Sequence, residues 1–151
     1  MTVFADASAL VKLYVDEVGH ELVRGMSPLA VGEIARVEVP AAFWRKTRLG
    51  ELDAVDARVL VSDFEADYYG TAEEASRFVV VRVTAEILDR AAALCARHPL
   101  RGFDAVQLAS ALAVRDIDPD VATMAVFDHT LRAAAAAEGL AVSPAGPPAG
   151  R

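Results

Sequence analysis

Asp6, Glu38, Asp104 and Asp128 stand where carboxylates are hard to account for as surface decoration. Asp6 ends the apolar opening Thr2-Val3-Phe4-Ala5, and Asp128 ends Met124-Ala125-Val126-Phe127. Glu38 lies inside Ile34-Ala35-Arg36-Val37-Glu38-Val39, and Asp104 opens the apolar run from Phe103 to Val114. A carboxylate in apolar surroundings loses hydration worth several kcal/mol unless something compensates. Four of them at the edges of hydrophobic elements imply one shared compensator, and the simplest is a divalent cation held by oxygen ligands. Mg2+ keeps several waters, so a few carboxylates suffice to hold it. Such an ion lowers the pKa of a bound water for in-line attack on a phosphodiester and stabilises charge on the phosphate and the leaving oxygen. Without it, neighbouring carboxylates repel and one or more of their pKa values rises.

The elements that must position these acids alternate between short apolar runs and helical patterns. Val3 to Ala5 reads as a buried strand, followed by helices over Ser8 to Tyr14 and Gly19 to Met26. Leu29 to Val31 is a weak strand, and a long helix runs from Gly32 to Arg48, broken at Gly50. Asp53 to Asp67 forms the next helix, and valine-rich Phe78 to Val83 is the clearest strand. Thr84 caps a helix whose apolar face carries Ile87, Leu88, Ala91 and Leu94. Pro99 and Gly102 close it, before a helix from Asp104 to Arg115. Thr123 to Phe127 is a strand, Thr130 to Glu138 a helix stopped by Gly139, and Leu140 to Val142 a last short strand. Strands alternating with helices indicate a parallel sheet covered on both faces, with ligands at the carboxyl ends of its strands. Asp6 and Asp128 both fall at such ends.

Composition narrows the class. The chain has 151 residues, enough for one domain over residues 1–142, with the Pro-, Gly- and Ala-rich segment 143–151 read as a disordered tail. Cys95 is alone, which excludes a disulfide framework or a thiolate metal site; it reads as a small core residue on a helix. No apolar run reaches membrane-span length and no basic leader precedes a long apolar stretch, so the expectation is a cytoplasmic protein without a membrane partner. A net charge of -7 argues against a surface that grips nucleic acid by charge alone. Bound metal and a local basic patch still permit a nucleic-acid enzyme. The mean hydropathy of +0.31 hints at apolar surface covered by a partner.

The opening V-F-A-D-A-S-A-L-V-K-L-Y, the segment A-R-V-E-V, the run R-G-F-D-A-V-Q-L-A-S-A-L and the late F-D-H-T-L together resemble the PIN domain. The likeness is closest to its VapC-type toxins and extends from Thr2 to Val142. It implies an α/β, three-layer α/β/α fold with a central parallel sheet. It also implies an acidic cluster binding Mg2+ (or Mn2+) and endoribonuclease activity as the toxin of a toxin–antitoxin pair. Carried over by position, the cluster is Asp6, Glu38, Asp104 and Asp128, with Asp6 and Asp104 as the most direct ligands and Ser8 at a small-hydroxyl position. The family often has Thr or Ser two residues before its last acid, where this chain has Val126. The partners implied are an RNA substrate, a VapB-type antitoxin whose peptide lies beside the acidic site, and a second copy in a homodimer.

Arg36, Arg45, Lys46 and Arg48 share a helix with Glu38 and read either as an RNA-backbone track or as a solvated face; Arg101 is a further phosphate candidate. Phe43, Trp44, Leu49 and Leu52 read as groove or core, Lys12 as structural or surface, and His129 as an exposed loop residue. His20 and His98 are not needed for the chemistry. A haloacid-dehalogenase phosphatase requires a second acid where Ser8 stands. A response-regulator receiver requires an acidic pair and a late lysine that are missing. The alternative from another class is a non-catalytic PIN-like module that binds RNA or protein, which would not need all four acids.

Overall fold

Each strand is a short run of small or branched apolar residues whose alternate side chains enter two different cores. In the computed structural model, which describes residues 1–145, five strands form one parallel sheet. These are β1 (Val3–Ala5), β2 (Leu29–Gly32), β3 (Phe78–Val81), β4 (Thr123–Ala125) and β5 (Ala141–Ser143), ordered β3-β2-β1-β4-β5. Helices α1 (Ala7–Leu10), α2 (His20–Arg24), α3 (Ala35–Arg48) and α4 (Ala54–Tyr69) cover one face. Helices α5 (Ala85–Arg97), α6 (Gly102–Ile117) and α7 (His129–Ala137) cover the other. Phe4, Ala30 and Met124 pack with Leu94, Leu108 and Leu112 of α5 and α6. Val3, Ala5, Leu29 and Val31 pack with Leu10, Val39, Phe43 and Phe64 on the opposite side. The expected three-layer α/β/α architecture is the observed one.

The chain moves from β1 to β2 and β3 on one side, then returns to β4 on the other flank of β1. The switch point therefore lies between the carboxyl ends of β1 and β4, where parallel sheets open a crevice. Registers of Phe4 with Met124 and Ala5 with Ala125 bring Asp6 and the segment after Ala125 to that edge.

Several boundaries differ from the sequence expectation for local reasons. The first helix is only α1, continued by a 3-10 turn at Val11–Leu13. Gly32 belongs to β2, so the long helix begins at Ala35, and Gly102 opens α6 rather than closing α5. β4 stops at Ala125, although Val126 and Phe127 continue the apolar run, because the Phe127 N–H donates to Ser8 Oγ. Thr84 caps α5 as expected, accepting from the Ile87 N–H. On that helix Ile87, Ala91 and Leu94 are buried, but Leu88 is exposed, and so is Cys95, contrary to its expected core role. Ser143 lies in β5 rather than in the tail, and the disorder expected of residues 146–151 lies outside the described residues. Among the described residues, no helix is long and apolar enough to cross a membrane.

Candidate active site

Asp6 takes up extended backbone at the end of β1 and caps α1, its Oδ1 accepting the Ala9 N–H at 3.1 Å. Asp128 does the same after β4, capping α7 through Oδ2 and the Leu131 N–H at 2.9 Å. Such caps use acids at helix N-termini, where a negative charge also suits the dipole. Glu38 and Asp104 lie in the first turns of α3 and α6. Four stretches of chain thus deliver the four acids to one open groove of about 880 Å3 at the switch point.

One oxygen of each carboxylate is engaged. Asp6 Oδ1 accepts the Ser8 hydroxyl at 2.6 Å, and Glu38 Oε1 accepts Gln107 Nε2 at 2.7 Å. Asp104 Oδ2 stands 3.4 Å from Arg101 Nε. The second oxygen of each acid has no hydrogen-bond partner among the described residues. Burial pushes Asp6, only 4% exposed, up to about 7. Hydrogen bonds from Ser8 and Ala9 oppose that rise, while the charges of Glu38 and Asp104 reinforce it. Glu38 is raised by burial and by Asp104, against the Gln107 hydrogen bond. Asp104 is raised by burial and by Asp128, against Arg101. The three shifts share a direction, and a cation in the groove would reverse it.

Among the described residues, no three Asp, Glu, His or Cys side chains converge tightly enough to form a metal-binding group. The donor chemistry nevertheless fits a hard cation: all oxygen, four acids, each with one oxygen uncommitted. An ion that keeps part of its water shell does not require a closed protein cage.

The other half of the groove is basic. Glu38, Ala41, Ala42, Arg45, Lys46, Arg48 and Leu49 form one stripe along α3. Arg45 and Arg48 are exposed, whereas Lys46 is bound to Glu17 at 2.7 Å and lies 3.6 Å from Glu51. Lys12 is buried, contacts Glu17 at 2.9 Å and sits 4.3 Å over the Phe127 ring, a structural role. Burial raises Glu17, but hydrogen bonds from Lys46 and Lys12 outweigh it and leave the carboxyl below its ordinary value. Arg36 is not in the groove; its guanidinium lies 5.4 Å over the Tyr69 ring. Arg101, 84% exposed, stands at the acidic end. Of the four apolar candidates, Leu49 lines this groove, Phe43 is core, Leu52 lines a smaller cleft with Tyr14, and Trp44 packs against the core. His129 is exposed, as expected, but begins α7 rather than sitting in a loop. Val126 is fully buried and carries no hydroxyl; Ser8 instead links Asp6 to the backbone after β4. Gln107 is the side chain that sequence reasoning missed. Its only signal is a long polar residue on the buried stripe of α6.

The PIN-domain family model matches residues 3–137. Ribonuclease VapC45 of Mycobacterium tuberculosis (strain CDC 1551 / Oshkosh) is 36% identical over 147 residues, covering 95% of each chain. Ribonuclease VapC49 of Mycobacterium tuberculosis (strain ATCC 25618 / H37Rv) gives the same identity and coverage. With the parallel sheet and the acids gathered at its switch point, the chain belongs to the PIN-domain family, in its VapC-type branch.

Proposed function

We propose that this protein is a metal-dependent endoribonuclease and the toxin half of a toxin–antitoxin pair, acting on cytoplasmic RNA. The observation that carries this reading is the groove itself: Asp6, Glu38, Asp104 and Asp128 at one end and Arg45, Lys46 and Arg48 at the other. Mg2+ or Mn2+, when bound, supplies Lewis-acid chemistry at the phosphate and a more acidic water. Asp6 and Asp104 are its most direct ligands in this reading, with Glu38 and Asp128 completing the set.

The chain's own groups do the rest. Ser8 and the Ala9 N–H hold Asp6 Oδ1 in place, leaving Oδ2 uncommitted. Arg101 tempers the charge of Asp104 and reaches into solvent, where an incoming phosphate passes. Arg45 and Arg48 track the RNA backbone, and such contacts orient a strand without reading its sequence. Water attacks phosphorus in line, the P–O bond to the leaving oxygen breaks, and that oxygen takes up a proton.

A VapB-type antitoxin and a second copy of this chain are the proposed protein partners. Exposed Leu49 and Phe103 give the groove apolar edges that a bound peptide would cover. Co-expression with the antitoxin is expected to relieve poor solubility or toxicity of the isolated chain. Equal yield and normal growth from an active preparation would argue against that pairing.

The deciding experiment is cleavage of total and structured RNA by purified protein with Mg2+ or Mn2+, with EDTA and Asp6→Asn as controls. Metal-dependent cutting lost in the variant supports the nuclease. No cutting by a folded, antitoxin-free, metal-binding protein would replace it with a binding role.

A further inference from the structure

Gln107 is 1% exposed and lies three residues after Asp104, so α6 turns both side chains toward the same region. Its amide commits one end to Glu38, Nε2 donating to Oε1 at 2.7 Å. The other end, Oε1, is buried without a hydrogen-bond partner. That is a costly state for a buried polar atom, and it calls for a reason.

The surroundings supply one. Ser110, a turn further along α6, donates its hydroxyl to the Val106 carbonyl instead of to Gln107. On the other side is Gly32, where a Cβ would stand 3.1 Å from Gln107 Oε1 and 3.6 Å from Ser110 Oγ. Reversing the amide would set its oxygen against an ionised Glu38, acceptor against acceptor. The ionised acid therefore selects the amide orientation, and the amide in turn fixes the acid. A leucine or methionine would fill the same space without an orphaned oxygen.

We infer that Gln107 is a positioning residue for Glu38: it anchors Oε1 from the helix that carries Asp104 and leaves Oε2 as the oxygen available to the groove. This rests on the metallonuclease reading, and it assigns to a neutral side chain part of the site's affinity for its cation. Loss of a partner that orients a metal ligand typically weakens metal binding or activity by about 10- to 100-fold.

The test is Mn2+ binding in the absence of RNA, followed by electron paramagnetic resonance of the free ion. It compares wild type, Gln107→Met, Glu38→Gln and the double variant. Gln107→Met is expected to bind Mn2+ about 10-fold more weakly or worse, while its melting temperature in EDTA is unchanged or higher. The double variant should bind no more weakly than Glu38→Gln, because the two changes remove one interaction. Wild-type affinity in Gln107→Met, or losses that multiply in the double variant, would overturn the assignment. A measurement on the unaltered protein covers the case in which Gln107→Met does not fold. The Gln107 side-chain amide resonances should move during a Mg2+ titration and saturate with it, and resonances that stay still would also overturn the role. A wild-type protein that neither binds Mn2+ nor cuts RNA overturns the metallonuclease reading and this role with it. One that does both while remaining indifferent to Gln107→Met overturns the positioning role alone.

Discussion

Ser8 donates its hydroxyl hydrogen to Asp6 Oδ1 at 2.6 Å, and Ser8 Oγ itself accepts the Phe127 N–H at 2.9 Å. One hydroxyl thus ties the end of β1 to the segment that carries Asp128, and it is one of two bonds that lower the Asp6 pKa. Ser8→Ala should push that pKa further up and move the acid limb of the cleavage–pH profile to higher pH. It should cost about 1 kcal/mol of stability. Ser8→Thr, which keeps the hydroxyl, should restore the profile. An unmoved limb in Ser8→Ala would remove Asp6 from the titrating group.

Burial, the main cause, pushes Asp6 from an ordinary value of 3.8 up to about 7 in the fold. Between those values the folded protein holds a proton that the unfolded chain has released, so stability falls as pH rises through the window. Glu38 and Asp104 are raised too and act with the same sign. The lowered groups Glu17 and Glu138 act oppositely, at and below their ordinary value of 4.5. Metal-free protein in EDTA should therefore melt several degrees lower at pH 8 than at pH 5, a loss of a few kcal/mol at most. Asp6→Asn should flatten most of that slope. Equal slopes for both proteins in calorimetry would contradict the burial of a charge at Asp6.

Millimolar Mg2+ or Mn2+ should raise the melting temperature, since an ion bound only by the native state stabilises it by about 2.7 kcal/mol at a hundredfold excess over its Kd. The gain should be larger at pH 8 than at pH 5, because protons and metal compete for the same carboxylates. It should vanish in Asp6→Asn. A melting temperature indifferent to both ions at pH 8 would sink the metal site.

Gly19 has φ of 92°, and a Cβ there would fall 2.5 Å from the Phe127 ring. Gly19→Ala combines left-handed strain with a clash and should cost on the order of 1–3 kcal/mol. Because Phe127 precedes Asp128, cleavage should fall more than the loss of folded protein accounts for. Thermal melts paired with rates at a temperature where both proteins are folded would decide this.

Arg45 and Lys46 are neighbours with different tasks. Arg45 is exposed and has no ion pair among the described residues, whereas Lys46 bridges Glu17 and Glu51. Arg45→Ala should leave the melting temperature alone, weaken RNA binding and lower the salt slope by about one. Lys46→Ala should lower the melting temperature first, since it leaves a half-buried Glu17 with Lys12 as its remaining cation. The reverse pattern in salt-dependent binding and melting would exchange the two roles.

The fold was legible where a pattern has one physical meaning. Short apolar runs ending in an acid became strands with Asp6 and Asp128 at or just beyond their carboxyl ends, because a parallel sheet buries both faces. The pattern misled where apolar residues serve something other than pairing. On α5, Leu88 and Cys95 are seven residues apart and share a flank beside the stripe of Ile87, Ala91 and Leu94, so counting them as core widened that stripe beyond its true width. Arg36 and Arg45 lie nine residues apart, about half a turn out of phase at roughly 100° per residue, so one faces Tyr69 and the other the groove. The pairing of Gln107 with Glu38 had no local trace, because it joins two helices 69 residues apart.

The order of synthesis gives the central position of β1 a further meaning. Asp6 is made before the other three acids, and one edge of β1 waits for a partner until β4 has been made. Asp128 follows that strand, so the nascent chain acquires Asp6, Glu38 and then Asp104 without the finished groove. A ribosome making this chain therefore never carries a completed nuclease before the final strands are out, and a message truncated ahead of β4 yields an inert fragment.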